Sequence, residues 1–149
     1  MATACSPIAG DDIWAVGDYN NTGTGDYTFH GMTYHYDGSN WSVIPNPTQS
    51  IDSSHLYAVV AIASDDVWAA GQDGTLSHFD GESWTAVDSG VDETLYALWG
   101  FAPDDVYAVG RGGTIIHWDG AAWTPMASGT TRALDSIWGL SPDNVYAVG

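Results

Sequence analysis

Adjacent aspartates and regularly placed histidines are the groups in this chain that could do acid–base or metal chemistry. Asp11-Asp12, Asp65-Asp66 and Asp104-Asp105 are paired carboxylates of the kind that can serve as an acid/base pair. His35, His78 and His117 are imidazoles that could ligate a metal. Their positions argue against both uses. The Asp pair stands at one place in three successive repeats and becomes Asp143-Asn144 in a fourth, as a structural turn would. The histidines also share one repeat position, which spaces them out, whereas a metal needs ligands within a few ångström of one point. His30 and His55 lie outside the repeat and remain as minor site candidates. No Gly-x-Ser-x-Gly elbow, Walker loop or His-Glu-x-x-His motif occurs. The expectation is a protein that is not an enzyme, with no catalytic residue, metal or cofactor.

The elements that carry these residues follow from internal repetition. Asp11 to Gly17 (DDIWAVG) returns as Asp65 to Gly71 (DDVWAAG), Asp104 to Gly110 (DDVYAVG) and Asp143 to Gly149 (DNVYAVG). The closing glycines are 54, 39 and 39 residues apart. In step with them run His35-Tyr36-Asp37-Gly38 with Trp41, His78-Phe79-Asp80-Gly81 with Trp84, and His117-Trp118-Asp119-Gly120 with Trp123. Apolar runs at Leu56 to Ile62, Leu95 to Phe101 and Leu134 to Leu140 precede Asp65-Asp66, Asp104-Asp105 and Asp143-Asn144.

Each period reads as four short strands. In the third, Leu95 to Phe101 is apolar enough for a buried inner strand, and Pro103-Asp104-Asp105 turns the chain. Val106 to Val109 forms the second strand, Gly112-Gly113 signals a tight hairpin, and Thr114 to Trp118 forms the third. Asp119-Gly120 turns again, and Trp123 to Met126 opens the fourth. Four strands per repeat of about 40 residues describe a β-propeller blade. The fold class is therefore all-β, about three and a half antiparallel four-stranded blades. They lie in one repeat domain, at about 3–50, 51–90 and 91–130, with a half blade at 131–149.

Composition narrows the partners. Seventeen Asp and two Glu face only Arg111 and Arg132, a net charge of −17 that repels phosphate backbones and anionic lipid. Nucleic acid is excluded as a partner, and no stretch is apolar for long enough to insert in a membrane. Eight Trp and eight Tyr supply area to bury, so the acidity does not imply disorder. Cys5 is alone and can form no disulfide within the chain. Residues 1–10 lack the basic and apolar regions of a signal peptide. A lysine-free acidic β protein nonetheless suits an extracellular or cell-surface location.

Gly112 to Gly120 (GGTIIHWDG), followed by Trp123-Thr124-Pro125 and Ser128-Gly129-Thr130, resembles the Asp-box class of propeller repeat. Photosystem II assembly-factor-like propellers, sialidases and uncharacterised bacterial surface propellers share that class. The resemblance spans the chain, is best in residues 91–149, and implies the blade rather than an activity. The Asp-Gly pair and the Trp match, while the usual serine and Asp-x-Gly spacing do not. Sialidases hold their substrate carboxylate with three arginines beside a Tyr nucleophile. With only Arg111 and Arg132, this chain lacks that cluster.

Two irregularities remain as candidate sites. The first repeat carries an insertion, Asp18 to Tyr27, in which Tyr19, Asn20, Asp26 and Tyr27 could stack on a sugar and bond its hydroxyls. A shorter insertion lies near Pro45 to Ser50. The second irregularity is the half blade, whose Leu134, Ile137, Trp138, Val145, Tyr146 and Val148 would leave apolar surface and strand edges uncovered. Those residues are expected to assemble copies into a homo-oligomer by strand pairing or blade-face packing. Three functions stay open: a non-catalytic scaffold or interaction module that self-assembles, a lectin-like carbohydrate binder, and a segment of a larger propeller enzyme.

Overall fold

The computed structural model describes residues 2–20, 29–50 and 54–149. Asp26 and Tyr27 lie outside those residues. Twelve strands form three four-stranded antiparallel sheets, and two more form a hairpin. The first sheet is β1 (Ala2–Ala9), β2 (Asp12–Asn20), β3 (Phe29–Tyr36) and β4 (Trp41–Val43). The second is β5 (Leu56–Ala63), β6 (Asp66–Gly71), β7 (Leu76–Phe79) and β8 (Trp84–Val87). β9 (Leu95–Ala102), β10 (Asp105–Gly110), β11 (Ile115–Trp118) and β12 (Trp123–Pro125) make the third, and β13 (Ser136–Ser141) with β14 (Asn144–Val148) the fourth. Strands pair in sequence order within every sheet, and β1, β5, β9 and β13 stand side by side. This is the meander of a propeller blade, repeated along an arc.

The strand period of two decides what each blade buries. On β6, Val67 and Ala69 join the core shared with the first blade, while Trp68 and Ala70 join the core shared with the third. All four are 2 % exposed or less, so the sheet is apolar on both faces. On β10, Val106 and Ala108 face the second blade, and Tyr107 and Val109 face the fourth. Each joint between blades is thus closed by alternate residues of one second strand and alternate residues of the next.

The Asp pairs divide their labour. The second member bonds the repeat histidine: Asp12 to His35 at 2.9 Å, Asp66 to His78 at 2.7 Å and Asp105 to His117 at 2.8 Å, each through Nε2. Trp14, Trp68 and Tyr107 cover those imidazoles at centroid distances of 4.6, 4.3 and 4.4 Å. Among the described residues no three His, Cys, Asp or Glu side chains converge as metal ligands. The hairpin glycines behave as the turn rule requires: Asp73-Gly74 and Gly112-Gly113 are left-handed pairs, closed by Thr75 N–H to Gln72 O and Thr114 N–H to Arg111 O.

The segment after β4 is not a free surface loop. Asn46 and Thr48 are buried, and Asn46 Nδ2 donates to Gly31 O of β3 at 3.3 Å. Thr48 N–H donates to Asn46 Oδ1 at 2.8 Å, Ser54 Oγ to Thr48 O at 2.7 Å, and Gly31 N–H to Ser54 Oγ at 3.1 Å. The added residues are a polar plug with its bonds satisfied, which ties β3 to the entry of the second blade.

Asp37, Asp80 and Asp119 each cap the turn between third and fourth strands. Their carboxylates accept N–H bonds from Asn40 and Ser39, Ser83 and Glu82, and Ala122 and Ala121, which hold all three pKa values below the ordinary aspartate range. A carboxyl whose folded pKa is depressed adds stability above its unfolded pKa and loses it as pH falls through the folded value. The triple variant Asp37→Asn, Asp80→Asn, Asp119→Asn keeps a turn-forming side chain without the titration. Its stability should fall less steeply than the parent's as pH drops below the aspartate range. Urea titrations across that range check this, and parallel curves would contradict it.

Candidate interaction surface

The fourth sheet has two strands where the others have four, so its two faces meet different fates. Ile137 is 6 % exposed, and it packs with Leu134, Val145 and Ala147 against Val109, Trp99 and Tyr107 of the third blade. Leu134, Ile137 and Val145 therefore seat the hairpin on its own chain. Trp138, Tyr146 and Val148 alternate with them and point away, 47, 53 and 61 % exposed. Leu140, which the repeat pattern alone did not single out, is 70 % exposed on the same face. Trp138 and Tyr146 are cross-strand partners with ring centroids 5.5 Å apart.

Repeat equivalence shows how unusual this exposure is. Tyr146 stands where Trp14 and Trp68 are 1 and 2 % exposed, and Val148 where Val16, Ala70 and Val109 are sealed. Those residues are covered by the next blade. In the fourth sheet the same positions face outward, a contiguous aromatic and aliphatic patch of the kind that marks a docking surface.

The sugar-stacking candidates are placed differently. Tyr19, next to last in β2, is exposed and leans on His30 at 5.4 Å, while Asn20 is registered against Phe29 at the start of β3. Beside them His55 Nδ1 meets Asp18 at 3.2 Å, Phe29 lies 4.9 Å from the His55 ring, and Tyr57 follows at 6.0 Å. Burial, and then the Asp18 carboxylate, raise the Tyr57 pKa above its ordinary value. The first strands of the blades also line an open groove of about 510 Å³ that includes Cys5, Tyr57, Tyr96 and Trp99. Its walls combine small apolar side chains with Ser6 and Ser136.

No family model and no curated protein matches this sequence. One solved structure, described as YCF48 bound to D1 peptide, superposes with a TM-score of 0.68 at 18 % identity. The match covers 99 % of this chain and 46 % of that one, so the chain spans less than half its neighbour's length. The fold is a β-propeller.

Proposed function

We propose that this chain is a non-catalytic β-propeller interaction module that binds protein, its own copies included, through the uncovered face of β13 and β14. The exposure of Tyr146 and Val148 carries the reading, because internal joints bury Trp14 and Trp68 at the first of these repeat positions and Val16, Ala70 and Val109 at the second, with Tyr107 half-buried. The recurring carboxylates and imidazoles support it from the other side, being taken up in turns and in pairs within each blade. A peptide named in the neighbour's description favours protein over sugar as the class of partner.

Self-association should be visible as a light-scattering mass above that of one chain. It should strengthen with concentration and also with salt, because a charge of −17 on each copy opposes approach until screened. A single-chain mass at every concentration and ionic strength would overturn the self-assembly.

A further inference from the structure

We infer that the cleft at the joint between the first and second blades binds a primary alkylammonium group, with the Ser77 hydroxyl at its floor and Asp73, Asp88 and Asp92 at its mouth. The site lies between two four-stranded blades and is independent of docking at β13–β14. It arises from an exchange of residue types at one joint. The joint between the second and third blades has Leu76 and Ile116 in its core, whereas the same repeat positions at the first joint hold Thr33 and Ser77. All four residues are 2 % exposed or less. Thr33 is satisfied, its hydroxyl donating to Ile44 O and accepting from Asn46 Nδ2. Ser77 Oγ has no hydrogen-bond partner among the described residues. A buried hydroxyl without a partner is costly, and such groups are few in folded proteins unless they serve a ligand or a solvent molecule.

Ser77 lines an open cleft of about 270 Å³, which β7 and β8 share with Pro47 and Thr48 of the insertion after β4. The lining is rich in acceptors. Thr48 and Ser89 are buried there, and each spends its proton elsewhere, Thr48 Oγ on Gly31 O at 3.2 Å and Ser89 Oγ on Val91 O at 3.0 Å. What their oxygens have left is acceptor capacity. Asp73, Asp88 and Asp92 are exposed at the mouth, and no basic side chain is among the described residues of the lining. Asp88 accepts from Gly90 N–H and Asp73 from Gln72 Nε2, through one oxygen each. An alkylammonium complements such a surface, having three N–H donors, a positive charge and no acceptor. The net charge of −17 concentrates cations around the molecule, and Pro47, Val87 and Val91 offer an apolar wall to the methylenes of the stem. A bare divalent ion fits less well, because no three carboxylates or imidazoles among the described residues converge on one point. The same group can come from a free amine or from a lysine of a bound protein, and this sequence contains no lysine of its own.

NMR shift titrations at low salt, below the concentration of self-association, test the site with n-butylamine and Nα-acetyl-lysine methylamide, which are equal in charge. Both should move the amide signals of Ser77 and its neighbours. Tighter binding of the lysine derivative assigns the cleft to a protein side chain, and equal or tighter binding of butylamine assigns it to a free amine. Ser77→Ala, which removes an unpaired hydroxyl and so keeps the fold, should weaken both probes about tenfold, the loss of a hydrogen bond to a charged group. Ser77→Ile, the residue that Ile116 supplies one blade later, should fill the cleft and abolish binding. Asp88→Asn with Asp92→Asn should cost about tenfold or more. Asp104→Asn with Asp143→Asn makes the same change of charge at exposed positions on other blades and should stay within about twofold of the parent. Equal losses from the two charge pairs would mean a general attraction to an acidic surface and would overturn the site. Parent-like binding by Ser77→Ala, or no movement of the cleft signals with either probe, would overturn it as well.

Discussion

Replacing Trp68 with alanine should cost about 3–5 kcal/mol of folding stability, whereas Tyr146→Ala, the same repeat position two blades on, should cost no more than about 0.5 kcal/mol. The comparison holds the local strand environment nearly constant. Both residues sit third in the second strand of their sheets, opposite a first-strand residue, Val60 for Trp68 and Trp138 for Tyr146. What differs is the following blade. Trp68 is 2 % exposed and touches the rings of His78, Trp118 and Trp123, so truncation leaves a cavity between two blades. Tyr146 is half exposed and leaves only a shallower surface. Trp68→Phe should recover much of the loss, because the indole N–H has no hydrogen-bond acceptor among the described residues and the ring contributes by packing. Urea unfolding below the concentration of self-association measures all three. A loss under about 1 kcal/mol for Trp68→Ala would mean that the blades are not held by these rings.

Strand order, turn positions and blade count were legible in the sequence because each depends on a local pattern repeated three or four times. Gly112-Gly113 and Asp73-Gly74 are examples: a left-handed pair is demanded by the hairpin itself, so residue type reports geometry directly. The histidine pairing was harder to see. His117 and Asp105 meet only through the register of β10 on β11, and the spacing that brings them together, 12 residues there and between Asp66 and His78, becomes 23 between Asp12 and His35. Asn46 and Thr48 read as part of a short insertion because burial of a polar side chain depends on partners elsewhere in the chain, here Gly31 and Ser54.

The candidate surface shows the same division between pattern and context. Apolar residues of the half blade were identifiable as a group, but not which of them had been spent. Leu134, Ile137 and Val145 differ from Trp138, Tyr146 and Val148 only in which side of a two-stranded sheet they occupy, and the third blade takes one side. Trp41 is the more instructive case. Its repeat position marks it as a core tryptophan, as Trp84 and Trp123 are, and only the arrangement of blades leaves it uncovered.

The turns that lock blade to blade should prove as sensitive as the rings between them. Gly74 and Gly90 have almost the same left-handed backbone, φ of 69° and 70°, yet alanine at the two should have unequal effects. The backbone penalty of placing a side chain in that region, about 1–2 kcal/mol, applies to both. At Gly90 it is the whole effect, since an added Cβ would meet nothing within 4 Å. At Gly74 the Cβ would fall 1.8 Å from the carbonyl oxygen of Val91, a backbone atom that cannot swing aside as a side chain could. Relief requires moving either the hairpin between β6 and β7 or the connection from β8 into β9, at the expense of the Gly74 N–H bond to Glu93 O and the Ser89 Oγ bond to Val91 O. Gly74→Ala should therefore lose on the order of 3–5 kcal/mol, against about 1–2 for Gly90→Ala. Gly113→Ala should follow Gly74→Ala, because its Cβ would meet Thr130 O at 2.1 Å in the equivalent place one blade later. Equal midpoints for Gly74→Ala and Gly90→Ala in urea would show that the connection yields freely, and that the hairpin does not clamp one blade to the next.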